Sequence, residues 1–132
     1  MGSTYRGFRA STVRQHNASV KLVVEYMKAH LTEPYSRQKM AALAGYAHLH
    51  YVRVFTGIMG VAPRSYFANL RMKEACRLLT TTSMSICEVG RQLGYNSDGN
   101  FSATFTRHMN ENPRDYRRRT KAERLKELRK IR

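Results

Sequence analysis

The stretch Ser85-Ile86-Cys87-Glu88-Val89-Gly90-Arg91-Gln92-Leu93-Gly94-Tyr95, followed by Ser97 to Met109, decides the fold. Ser85 and Glu88 have the spacing of a capping box, in which the hydroxyl accepts from the backbone N–H of Glu88 and the carboxylate reaches back. Ile86, Val89, Gly90 and Leu93 then share one helical face, and Gly94 supplies the sharply turned position that ends the helix. Ser97 can cap the next helix, whose buried side repeats every fourth residue as Phe101, Phe105 and Met109. Asp98, Gly99, Asn100, Ser102 and Ala103 are left facing outward. A short helix, a glycine turn and a second helix form one helix-turn-helix unit.

The same unit stands earlier in the chain. At an offset of 49 residues, Ser36 matches Ser85, Met40-Ala41 matches Val89-Gly90, Leu43 matches Gln92, and Gly45-Tyr46 matches Gly94-Tyr95. Beyond the turn the offset becomes 50, pairing Phe55-Thr56 with Phe105-Thr106, Met59 with Met109, and Pro63-Arg64-Ser65-Tyr66 with Pro113-Arg114-Asp115-Tyr116. One residue has been added to the second turn. Self-similarity of this kind marks a repeated structural unit. In the first copy a helix opens at Ser36 and ends at Gly45. Its second helix starts near His48, with Tyr51, Val54, Phe55 and Ile58 or Met59 inward and Leu49, His50, Val52, Arg53 and Thr56 outward. Ala41 and Gly90, small at the same place, let two helices cross closely.

Two further helices complete an all-α reading. Val20, Val23 or Val24, Met27 and Leu31 form an amphipathic stripe ahead of the first unit. Pro63 suits the first position of a long helix whose apolar stripe is Tyr66, Phe67, Leu70, Ala75, Leu78 and Leu79, ended by Thr80 to Ser83. No alternating strand pattern occurs. The expected organisation is a basic linker or expression remnant over 1–19, a first helix-turn-helix unit over 20–62, a linker helix over 63–83, a second unit over 84–120 and a basic tail over 121–132. The tail reads as a helical extension with Leu125, Leu128 and Ile131 on one side, too short to be stable alone.

The 132 residues carry 24 Lys and Arg against 9 Asp and Glu, a formal net charge of +15. Residues 1–19 contain three Arg and no acid, 20–113 eleven bases and six acids, and 114–132 ten bases and three acids. A modestly basic centre with basic ends points to a polyanionic partner, because neutralising phosphates releases condensed counterions. For the tail, a solvated end is compatible with the same charge. No apolar run approaches a membrane span or a signal peptide, so a cytoplasmic location without membrane contact is expected. Met1-Gly2-Ser3 lacks the Ser or Thr at position 6 that myristoylation requires. Cys76 and Cys87 lack metal-ligand spacing and read as small core residues, the alternative being a reactive thiol. The five histidines show no catalytic or metal-binding spacing, and His48-x-His50 alone is a weak metal site. No enzyme, metal or cofactor is expected.

Two helix-turn-helix units joined by a long helix, with Gly-Tyr turns and two Pro-Arg-x-Tyr repeats, resemble the DNA-binding domain of the AraC/XylS family of bacterial transcription regulators. The likeness covers about residues 20–118. It is most specific in Ser85 to Tyr95, in Phe101 to Phe105 and in Pro113 to Arg117, and it extends to Gly60 to Tyr66 and Leu70 to Leu79. Ala47 and Ala62 depart from the family at positions that usually hold a capping Ser, Asn110 replaces a turn Gly, and Ala103 stands where a long polar or basic residue is frequent.

The resemblance implies that the second helix of each unit enters the major groove of double-stranded DNA, the two meeting successive grooves roughly 34 Å apart. Arg53 is then the foremost base reader, since a guanidinium donates two parallel bonds to guanine, although a phosphate or solvated role stays open. Leu49 and Val52 suit thymine methyls; His50 either joins them or packs at the domain surface. Asn100 suits adenine, Asp98 either accepts from cytosine or caps its helix, and Ser102 bonds a base or a phosphate. Thr56, Arg107, Arg114 and Arg117 are candidate phosphate contacts or solvated surface. RNA polymerase, as activator or repressor target, and an N-terminal effector-binding or dimerisation domain are the further partners that the resemblance implies. A helical module that binds nucleic acid without sequence preference is the alternative.

Overall fold

Seven helices run through residues 10–131, the residues described by the computed structural model: α1 Ala10–Ala29, α2 Arg37–Ala44, α3 His48–Met59, α4 Pro63–Thr81, α5 Ile86–Gln92, α6 Asp98–Met109 and α7 Pro113–Ile131. No strand occurs among the described residues, as the absence of alternating patterns led one to expect. No described helix is long and apolar enough to cross a membrane. The Met1-Gly2-Ser3 start, the first nine residues of the stretch read as a linker, and the side chain of Ile131 lie outside the described residues.

The chain divides between Leu70 and Arg71 into two compact units. In the first, Val20, Val23 and Met27 of α1 pack with Met40, Ala41 and Ala44 of α2, Tyr51, Val54 and Phe55 of α3, and Phe67 of α4. In the second, Met72, Ala75, Leu78 and Leu79 of α4 pack with Val89, Leu93, Phe101 and Phe105. Each unit therefore has its own core, and α4 contributes a stretch of apolar side chains to each.

The helix ends follow their capping chemistry. Ser36 accepts from the Lys39 N–H at 3.2 Å, and Gly45 closes α2 in the left-handed region at φ 81°. Both halves of the Ser85 and Glu88 capping box form, at 3.1 and 2.9 Å. Ser97 caps α6, accepting from Asn100 N–H at 3.1 Å. Ala47 has the extended backbone of an N-cap but no side chain to fill it. Asn110 takes the left-handed turn at φ 61°, where its short polar side chain tolerates what most residues do not.

Three expectations need correcting. The linker reading of 1–19 fails over 10–19, which belongs to α1: His16 is buried and lies four residues ahead of Val20 on the stripe that continues through Val23 and Met27. The boundary drawn at 120 is not kept, because α7 runs unbroken from Pro113 to Ile131; the stretch 121–130 is the helical extension expected of the tail, exposed, with Arg124 Nη1 donating to the Thr80 carbonyl at 2.9 Å. Cys87 is not a core residue; it is half-buried, and like Cys76 it forms no disulfide.

Candidate nucleic-acid interface

In the first unit the periodicity of α3 turns Tyr51, Val54 and Phe55 inward and leaves Leu49, His50, Arg53 and Thr56 exposed. Leu49 is 74% exposed, an apolar side chain placed against water at the start of a helix. Val52 departs from the outward reading: it is half-buried against the core of this unit. His50 is exposed yet engaged, its ring 4.7 Å from that of Tyr46 and 5.8 Å from that of His16, both edge-on. It thus satisfies the packing alternative while keeping one side in solvent.

In the second unit α6 buries Phe101 and Phe105 and exposes Asp98, Gly99, Asn100, Ala103 and Arg107, with Ser102 half-buried. Asp98 is not the cap of α6, because Ser97 fills that position; Asp98 occupies the first turn, where a carboxylate interacts favourably with the helix dipole. Its carboxylate beside the Cys87 thiol, together with partial burial, pushes that thiol above its ordinary range. A raised thiol is poorly ionised, so the reactive-cysteine alternative has no support at Cys87.

The close approach that the small residues promised is visible at Gly90. A Cβ there would stand 3.0 Å from both Cβ and Cγ of Phe101, a tight contact that would require Phe101 to give by a few tenths of an ångström.

Equivalent positions of the two units form equivalent concavities. In the second unit Asp98 and Ser102 of α6 share an open hollow with Pro113 and Arg114 at the start of α7. In the first, His48 and Val52 of α3 share one with Pro63 and Arg64 at the start of α4. Each pair is related by the 50-residue offset of the repeat. Arg64, which stands 5.1 Å over the Tyr35 ring, is therefore the counterpart of Arg114 and was missed when Arg114 was singled out. The Pro-Arg-x-Tyr repeat already carried the signal.

The basic side chains sort by what holds them. Arg53, Arg107 and Arg114 make no ion pair among the described residues. Arg117 instead donates through Nε to the Leu79 carbonyl at 2.9 Å and through Nη2 to that of Thr82 at 3.5 Å. It closes the C-terminal end of α4, where a cation offsets orphan carbonyls and the dipole, while Arg117 also lines the hollow that holds Arg114. Arg119 is held by Glu111 at 2.6 Å and Glu123 at 3.0 Å, which push its guanidinium upward. Of the residues proposed from the sequence, the structure gathers Leu49, His50, Arg53 and Thr56 on α3, and Asp98, Ser102, Arg114 and Arg117 around one hollow. Asn100 and Arg107 stand on the exposed surface of α6 outside it.

Two helix-turn-helix units in one chain, each exposing the outer face of its second helix beside basic residues, define a helix-turn-helix protein of the two-unit class. A family model described as a helix-turn-helix domain matches residues 40–119, and the chain belongs to the AraC/XylS family of transcription regulators through its DNA-binding domain. The MmsAB operon regulatory protein of Pseudomonas aeruginosa is 31% identical over 96 residues, which cover 73% of this chain and 31% of that protein. The regulatory protein SoxS of Salmonella typhimurium is 28% identical over 104 residues, covering 79% of this chain and 97% of SoxS. Among solved structures, the DNA-binding domain of the global transcriptional factor AdpA, in complex with a target DNA, superimposes with a TM-score of 0.76 at 29% identity, over 81% of this chain and 96% of that one. The chain spans about a third of the length of the first curated relatives that it matches.

Proposed function

We propose that this chain binds duplex DNA with sequence preference, inserting α3 and α6 into successive major grooves beside a promoter, and regulates transcription there. The observation that carries this reading is the repeated surface: in each unit an exposed helix face adjoins a hollow whose rim holds an arginine at the start of the following helix. That pairing suits DNA, because base edges are met by each helix face while Arg64 beside α3 and Arg114 beside α6 neutralise phosphates of the groove that its own helix enters. Arg53 is the principal base reader, with Leu49 and His50 beside it; Asn100 and Asp98 supply amide and carboxylate chemistry in the second unit, with Ser102 at its edge. Thr56 and Arg107 join the phosphate contacts. RNA polymerase and an effector-binding or dimerising domain are the partners that would turn binding into regulation, in the bacterial cytoplasm.

Competition between a selected duplex and an unrelated one at about physiological salt tests this. Specific binding is expected to be tighter than nonspecific binding by a factor on the order of 10³ or more. A ratio near unity, with affinity falling steeply with salt on both duplexes, would instead identify an architectural module that holds phosphates only.

A further inference from the structure

His16 is a polar side chain in an apolar row. It is 5% exposed and shares its face of α1 with Val20, Val23 and Met27, all buried. Its ring meets Tyr46 of the turn between α2 and α3 at 5.8 Å and 89°, and His50 of α3 at 5.8 Å and 73°. Tyr46 and His50 meet each other at 4.7 Å and 76°, so three rings lie mutually edge to face. One turn along α1, Ser19 Oγ donates to the Tyr46 hydroxyl at 3.4 Å. The part of α1 that precedes the family match thus grips the turn of the first unit and the first turn of its exposed helix.

We propose that His16 is a positioning residue: through the ring cluster with Tyr46 it fixes His50 on the face of α3, and the fixed imidazole of His50 reads one base pair. The proposal rests on the reading that α3 enters the major groove. A neutral imidazole carries one donor and one acceptor, enough to bond guanine N7 with the first or an adenine or cytosine amino group with the second. Held by two rings, it loses less rotamer freedom on binding than a side chain that swings in solvent.

The same cluster makes the positioning sensitive to acid. Facing His16 are the Tyr46 phenol from the turn and the His50 imidazole from α3. Burial first, and then His50, hold His16 below its ordinary value of 6.5, so it is neutral at neutral pH. A proton gained in acid would place a charge among apolar side chains beside His50 and loosen the three-ring packing.

The test uses the full chain, its selected duplex and a set of single base-pair variants of that duplex, at several pH values from about 5.5 to 8. Replacing His50 by Ala should cut the preference at one base pair about fivefold or more. His16→Ala should cut the preference at that same pair, while the pair read by Arg53 and the block read by the second unit keep theirs. His16→Phe preserves ring packing but has no proton to gain, so it should restore the preference at neutral pH and alter its loss below about pH 6.5. Base preferences unchanged in His16→Ala, affected at a different pair, or weakened equally across all variants would overturn the proposal. If His16→Ala does not fold, a His16→Phe profile superimposable on the wild type would overturn it equally. A wild-type chain that discriminates among no duplexes would remove the groove reading of α3 as well, whereas discrimination that survives both histidine replacements removes this proposal alone.

Discussion

A methyl group at Gly90 would press on Phe101, which is fully buried and stands 3.0 Å from where it would go. Alanine favours a helix over glycine by up to about 1 kcal/mol, but overpacking a rigid core position costs about 1 to 3 kcal/mol. Gly90→Ala is therefore expected to lower thermal stability, and a Tm at or above that of the wild type would show that α5 and α6 have slack. Arg53→Ala is expected to weaken specific binding by roughly 1 to 3 kcal/mol and to relax preference at one or two base pairs; uniform weakening across sequences would assign it to a phosphate. At His16 the sign follows from burial, which lowers its pKa in the folded state. The unfolded chain then binds a proton more readily, so stability is full above about pH 6.5 and falls as the pH drops below it. His16→Phe should flatten that fall, measured as Tm against pH; an unchanged dependence would place the acid sensitivity elsewhere.

Helix boundaries were legible wherever a cap chemistry stood beside a 3.6-residue period. Ser36, Ser85 and Ser97 each open the helix that their position promised, and Gly45 closes one. The element that escaped was the first half of α1. Its polar composition hides His16, which sits four residues before Val20 on the same stripe, because a lone histidine does not register as an apolar repeat. Arg117 shows the reverse: charge suggested a surface role, and its place between half-buried Tyr116 and Thr120 adds a contact with the carbonyl end of α4 that charge alone does not signal. Arg64 was legible only through the repeat, which equates it with Arg114. The empty cap of α3 yields a prediction of its own. Ala47 already has cap geometry, so Ala47→Ser should stabilise the chain by about 0.5 to 1 kcal/mol, read as a rise in urea midpoint. No rise would mean that the hydroxyl does not reach the N–H groups of the first turn.

At the scale of the whole molecule, two cores and two exposed helix faces come from one duplicated pattern, but the copies have diverged in what they present. The first face offers Leu49, His50 and Arg53, a mixed apolar and basic surface; the second offers Asp98, Asn100 and small residues at Gly99 and Ala103. The stronger base discrimination is therefore expected in the block read by α3. The central claim is that both units read sequence, and selection of bound duplexes from a randomised pool at about physiological salt, with Arg53→Ala run in parallel, tests it most directly. Two enriched blocks about one helical turn apart, one of them blurred by the substitution, is the predicted result. A single enriched block would contradict the claim by leaving the second unit as a phosphate clamp, and no enrichment would contradict it for both.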